Sequence, residues 1–172
     1  MNNPNKVAVI GNWLIKSDRK SVYAIISDWE RFPEYFPKIA RSVNIIHREG
    51  NTLTSDTDAA SFGKLFPTVK IRVVAELLPD NGYRCSTHNI TFNTSGEEQL
   101  LLFDDPAGTR IEYTYFVTVK NKLFRPLFTW LTNTFGLPYW KRCFVDRLEI
   151  LTNAMKTAIK PLHRIMRNYE KR

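Results

Sequence analysis

The chain has only two cysteines, Cys85 and Cys143, in 172 residues. They are too few for a disulfide scaffold and lack the paired spacing of a zinc motif, so both are read as reduced and buried. Runs without charge fall short of the roughly 20 apolar residues that a membrane-spanning helix needs. The stretch between Arg125 and Lys141, for example, is interrupted by Asn, Thr, Gly and Pro. The segment from Met1 to Ile15 has no basic stretch followed by an apolar run and a small-residue cleavage site, which predicts a cytoplasmic protein. There is no glycine-rich phosphate loop, no nucleophile elbow and no His-Glu-x-x-His pattern. The histidines His47, His88 and His163 fall in different predicted elements without an acid or cysteine at ligand spacing, so no metal and no cofactor is expected.

What is present suits one globular domain over residues 1–172: 43% hydrophobic and 13% aromatic residues can fill a core, which excludes intrinsic disorder. Charge is unevenly placed. Residues 1–119 hold 13 Lys/Arg against 14 Asp/Glu, whereas 120–172 hold 12 against 3, so the whole basic excess lies in the last third. Such a distribution points to an anionic surface met by one end of the molecule.

Periodicity places the elements. Lys6 to Lys16 reads as a strand with Val7, Val9 and Trp13 on one face. A helix follows with Ser17 as cap, Asp18 in its first turn and Val22, Ile25, Ile26 and Trp29 along one stripe. Pro33 and Pro37 limit Glu30 to Phe36 to one or two turns. From Ala40 to Lys120 the period becomes two, with turn residues at Glu49-Gly50-Asn51, Pro79 to Gly82, Ser95-Gly96 and Asp104 to Gly108, which predicts an antiparallel meander. Ile111, Tyr113, Tyr115, Val117 and Val119 share one face of a strand; Val69, Ile71, Val73, Ala75 and Leu77 repeat the pattern, and Leu101 with Phe103 is expected to continue it. Leu123 to Phe135 reads as a short amphipathic helix, Gly136 and Pro138 as a break, and about Leu137 to Tyr169 as a long terminal helix kinked at Pro161. The expected core is Val22, Ile25, Ile26, Val69, Ile71, Val73, Leu101, Phe103, Ile111, Tyr113, Tyr115, Phe144, Leu148, Leu151 and Met155.

These elements predict an α+β architecture in which a seven-stranded antiparallel curved sheet wraps the terminal helix, with two short helices after the first strand. The segment Val22-Tyr23-Ala24-Ile25-Ile26-Ser27-Asp28 leading into Trp29-Glu30-Arg31-Phe32-Pro33-Glu34-Tyr35-Phe36-Pro37, and the late strand Gly108-Thr109-Arg110-Ile111-Glu112-Tyr113, resemble the START-like superfamily, also called SRPBCC. That superfamily includes polyketide cyclase/dehydrase proteins, coenzyme Q-binding proteins and the birch-pollen-allergen fold. The resemblance implies the helix-grip fold over nearly the whole chain. It implies function less narrowly, because lipid carriers, receptors and cyclases share this scaffold.

Two readings of the site follow. In the first, small residues at Ser55, Thr57 and Ala59 opposite larger ones leave a cavity for a hydrophobic small molecule such as a lipid, an isoprenoid quinone or a polyketide-like compound. Ser55, Thr57, Ile71, Val73, Leu101, Phe103, Tyr113, Tyr115, Phe144, Leu148, Leu151 and Met155 would line it, the tyrosine hydroxyls orienting one polar group. In the second, the protein is a polyketide cyclase/dehydratase-like enzyme with Asp56, Asp58, His88 or Glu112 as acid or base. Asp56 and Asp58 fit a solvated strand face better, because an apolar set is available for the other face and an unpaired buried charge is costly. A carboxylate and a tyrosine hydroxyl converging inside the cavity would favour the enzyme; a filled core would instead favour an interaction module.

The basic last third carries no nucleic-acid reader motif, so no nucleic acid is expected as partner. Trp130 beside the Leu123 to Phe135 stripe, with Lys156, Lys160, Arg164 and Arg167 on one ridge of the terminal helix, suits peripheral contact with an anionic membrane. The same residues equally suit a solvated helix face whose aromatics cover the end of the sheet.

Overall fold

Alternation of apolar and polar residues over some 80 residues leaves one face of each strand to be buried, and the chain solves this with one sheet closed over by helices. The computed structural model describes residues 6–60, 68–91, 93–118, 126, 129, 130, 132–155 and 157. Strand β1 is Lys6–Ile15, helix α1 Arg19–Ile26 and helix α2 Phe32–Tyr35. The meander is β2 Ala40–Glu49, β3 Thr52–Ala59, β4 Val69–Leu78, β5 Gly82–Asn89, β6 Thr94–Asp105 and β7 Gly108–Thr118. All seven strands form one antiparallel sheet in the order β1-β7-β6-β5-β4-β3-β2. The final helix, α3, runs over 132–155.

Helix α1 buries Val22, Ile25 and Ile26 as its spacing predicts, but its cap is Asp18, whose carboxylate accepts from the Ser21 amide at 2.9 Å. Ser17 is instead buried, and its carbonyl accepts a hydrogen bond from the Thr109 hydroxyl at 2.7 Å, tying the start of α1 to β7.

Helix α3 differs from its expected form. Gly136 takes helical angles and Pro138 sits in the first turn of the α-helical stretch Leu137–Trp140, so the chain does not break there. Inside a helix that begins at residue 132, proline lacks the N–H that would close onto the preceding turn, and the wide π turn Thr132–Gly136 directly precedes it. Wide π turns occupy Thr132–Gly136 and Lys141–Val145, the second closed by the Asp146 amide on the Lys141 carbonyl. In that turn three consecutive residues, Cys143, Phe144 and Val145, are buried. The Pro161 kink and the tail to Tyr169 lie outside the described residues, as do Leu123 to Arg125, Leu127, Phe128 and Leu131 of the expected amphipathic helix.

The core lies between the inner sheet face, α1, α2 and α3. Phe36 of the α2 end stacks on Phe144 at 4.6 Å, Phe144 on Trp140 at 4.8 Å, and Trp140 on Tyr113 of β7 at 5.1 Å. This aromatic ladder joins all the layers. Two features of the expected core are corrected. Leu100 and Leu102, not Leu101 and Phe103, point inward, and Met155 is 41% exposed. The pairing of β6 with β7 sets Leu102 opposite Ile111 and Leu100 opposite Tyr113, both inward residues, and that places Leu101 and Phe103 on the outer face. There the Arg110 guanidinium lies 4.6 Å over the Phe103 ring.

Candidate functional site

Small side chains on β3 and bulky ones on β4 to β7 leave the inner sheet face incompletely filled. The result is a hollow of about 400 Å³ between the sheet, α2 and α3. Its walls are largely apolar and include Val9, Trp29, Phe32, Ile39, Val43, Thr57, Ala59, Ile71, Val73, Tyr113, Tyr115, Leu137, Tyr139 and Trp140. Tyr139 is fixed there by donating to the Lys38 carbonyl at 3.2 Å. The indole N–H groups of Trp29 and Trp140 are closed off from free space and have no partner among the described residues.

The polar floor is built by the same β6 phase that buries Leu100 and Leu102. It turns Glu98 inward, opposite Cys85 of β5 and Tyr115 of β7. Glu98 lines the hollow together with Tyr83, Cys85, Thr87, Tyr113 and Tyr115. The Tyr83 hydroxyl donates to Glu98 Oε1 at 2.7 Å, the one hydrogen bond to this carboxyl among the described residues. Glu98 is half-buried on the lining of the hollow. Burial pushes its carboxyl up to about 7, against the opposing pull of the Tyr83 hydrogen bond. Burial likewise holds the hydroxyls of Tyr83, Tyr113 and Tyr115 and the Cys85 thiol above their ordinary values, with Glu98 adding to each shift. Gly96 makes room for this cluster. A Cβ there would lie 2.5 Å from the Tyr115 ring, so any larger residue would displace it.

Of the residues named from sequence, Thr57, Ile71, Val73, Tyr113 and Tyr115 line the hollow. Ser55, Phe144 and Leu148 are fully buried beside it, and Leu151 packs at the edge of the core. Leu101, Phe103 and Met155 are not part of it. None of the four acid–base candidates faces inward. Asp56 is held by the Arg72 guanidinium through hydrogen bonds of 2.8 and 2.9 Å, which keep its carboxyl below the usual range. Asp58 accepts from the Ser42 hydroxyl at 3.0 Å, His88 lies 3.3 Å from the Ser95 hydroxyl, and Glu112 pairs with Arg110, all on the outer face. Strand alternation decides this: residues that pair with outward cations share their face. Among the described residues no three His, Cys, Asp or Glu side chains gather as metal ligands.

At the α3 end of the hollow Trp130 and Phe135 are more than half exposed and meet edge to face at 5.6 Å. Lys156, Lys160, Arg164 and Arg167 lie outside the described residues.

The sequence pattern described as polyketide cyclase/dehydrase and lipid transport matches residues 15–136, from the end of β1 into the first turn of α3. The chain belongs to this family. No match is found among curated proteins. Three solved structures share the helix-grip architecture seen here. TTHA0849 from Thermus thermophilus is 20% identical over 86% of this chain and 98% of its own, with a TM-score of 0.67. A Thalictrum norcoclaurine synthase point mutant in complex with a transition-state analogue is 12% identical over 88% and 96%, with a TM-score of 0.65. The di-domain ARO/CYC protein StfQ from the steffimycin biosynthetic pathway is 15% identical over 87% of this chain and 50% of its own, with a TM-score of 0.61. The likeness is one of fold. Family and fold together suggest hydrophobic ligand binding or polyketide cyclase-like activity.

Proposed function

We propose that this protein binds one mainly apolar small molecule in the hollow and moves protons to and from it through Glu98. The observation that carries the reading is the Glu98 carboxyl inside an apolar hollow, 2.7 Å from the Tyr83 hydroxyl. A carboxyl with a value near 7 is populated in both forms at neutral pH, the condition under which a general acid or base works best. Its phenolic neighbours stay protonated and can donate to a developing oxygen charge. A hollow of about 400 Å³ is of drug-like size, which argues against an interaction module with a filled core. The similar folds of a norcoclaurine synthase and a biosynthetic ARO/CYC protein are consistent with chemistry on this scaffold.

A probe of proton transfer is the exchange of the acidic C–H of 2-tetralone in deuterium oxide, followed by mass spectrometry. The wild type should accelerate it, and Glu98→Gln should lose about 10²- to 10⁴-fold of that acceleration while still binding. Binding without accelerated exchange would make the protein a carrier of lipid, isoprenoid quinone or polyketide-like cargo, which the apolar walls also favour.

The exposed Trp130 and Phe135 beside Gly136 and Leu137 of the lining support a second part of this reading, that this end meets an anionic bilayer. Residues 120–172 supply the matching charge, with 12 basic against 3 acidic residues. In cosedimentation, binding should require anionic vesicles, weaken with salt and drop when Trp130 and Phe135 are both changed to Ala. Equal behaviour on neutral vesicles would remove this part of the proposal.

A further inference from the structure

We propose that the polar group this hollow receives is a protonated amine, so that the bound molecule is an apolar amine with its ammonium on Glu98. The inference rests on reading the hollow as a small-molecule site. A carboxylate withdrawn from water is costly unless a cation stands beside it. On the outer face three acids have one each: Asp56 has Arg72, Glu112 has Arg110 and Glu97 has Lys6. Inside, among the described residues, the chain supplies none to Glu98. Among the described residues no lysine, arginine or histidine forms an ion pair with Glu98, and its single hydrogen-bond partner is a neutral phenol. Lys38, on the lining, is an exposed residue between α2 and β2 and does not pair with it.

The rest of the wall fits the same partner. Ring faces attract an ammonium group, most strongly where water is excluded, and Tyr83, Tyr113 and Tyr115 surround the carboxyl, with Trp29 packed on Tyr83 at 5.7 Å and Trp140 on Tyr113 at 5.1 Å. An alcohol could donate one hydrogen bond to Glu98 but would leave its charge uncompensated. An anionic ligand would be repelled by it.

The test is titration calorimetry of the full chain at about pH 7.5 with three molecules of one size: 2-aminotetralin, 2-tetralol and tetralin-2-carboxylate. The amine should bind at least about tenfold more tightly than the alcohol, the carboxylate least, and Glu98→Gln should erase the advantage of the amine over the alcohol. If Glu98→Gln does not fold, the wild-type ratio of amine to alcohol affinity serves instead. It should fall as the pH is lowered from about 8 to 5, because Glu98 takes up its proton there while the facing groups, Tyr83, Cys85, Tyr113 and Tyr115, stay protonated throughout. Equal affinity for amine and alcohol, or an advantage that neither the substitution nor low pH reduces, overturns the amine and leaves the hollow as a site for neutral molecules. Failure of all three probes, and of a wider panel of apolar molecules, overturns the site itself and the amine with it.

Discussion

Glu98→Gln is expected to raise stability by about 3 kcal/mol near pH 8 and to change it little near pH 4. The folded carboxyl titrates at about 7, well above an ordinary 4.5. Below the lower value both folded and unfolded chains carry the proton, and the group costs nothing. As the pH rises the unfolded chain gives up its proton first, so wild-type stability declines through this window until the folded carboxyl also ionises. Glutamine keeps an oxygen that can accept from Tyr83 but has no charge to bury. Urea unfolding of both proteins across this pH range gives the comparison, and parallel curves would show that Glu98 is not held as a costly buried acid. A residue whose loss stabilises the fold is one retained for something other than folding.

Phe144→Ala should have the opposite effect, a loss of about 3 to 5 kcal/mol. Phe144 is fully buried, with Phe36 and Trp140 stacked on its two sides at 4.6 and 4.8 Å. Removing it cuts the ladder that ties α2 to α3 and frees Trp140 from its place in the wall of the hollow. Binding of any apolar molecule should weaken with stability. Met155→Ala, at a position 41% exposed on the same helix, should stay within about 0.5 kcal/mol of wild type. Chemical denaturation of the two variants checks both, and similar losses would mean that α3 is not seated through Phe144.

The fold was legible because its signals are local. Turn residues at Glu49-Gly50-Asn51, Pro79 to Gly82 and Asp104 to Gly108 mark three hairpins, whereas Ser95-Gly96, read as a turn, lies inside β6; the helical spacing of Val22, Ile25 and Ile26 orients α1, and the alternation of Ile111, Tyr113 and Tyr115 orients β7. The site was legible only in part. Thr57, Ile71, Val73, Tyr113 and Tyr115 follow from clear alternation, whereas β6 contains Leu100-Leu101-Leu102-Phe103, an unbroken apolar run whose phase period two cannot set. With the phase shifted by one, Glu98 falls outside, where an acid in Glu97-Glu98-Gln99 belongs by composition. The deciding signal was in the hairpin. Counting back from the two-residue turn Pro106-Ala107 sets Leu102 opposite Ile111 and Glu98 opposite Tyr115, which requires Glu98 to share the tyrosines' inward face. The π turns of α3 carry no comparable signature in the apolar spacing of the sequence.

The π turn at Lys141–Val145 also acts as a frame-shift in the helix. A π turn holds one residue more than the α turn it replaces, and each residue advances a helix by about 100°. Deleting a single residue there would restore a regular helix and leave everything beyond it, Leu148 included, on the same face, whereas the same deletion in a regular α turn would rotate it by about that angle. Alignments that place a one-residue gap at this point in related chains would therefore not mark an indifferent loop. They would mark regular helices whose C-terminal halves present the same face to the same sheet without the extra residue.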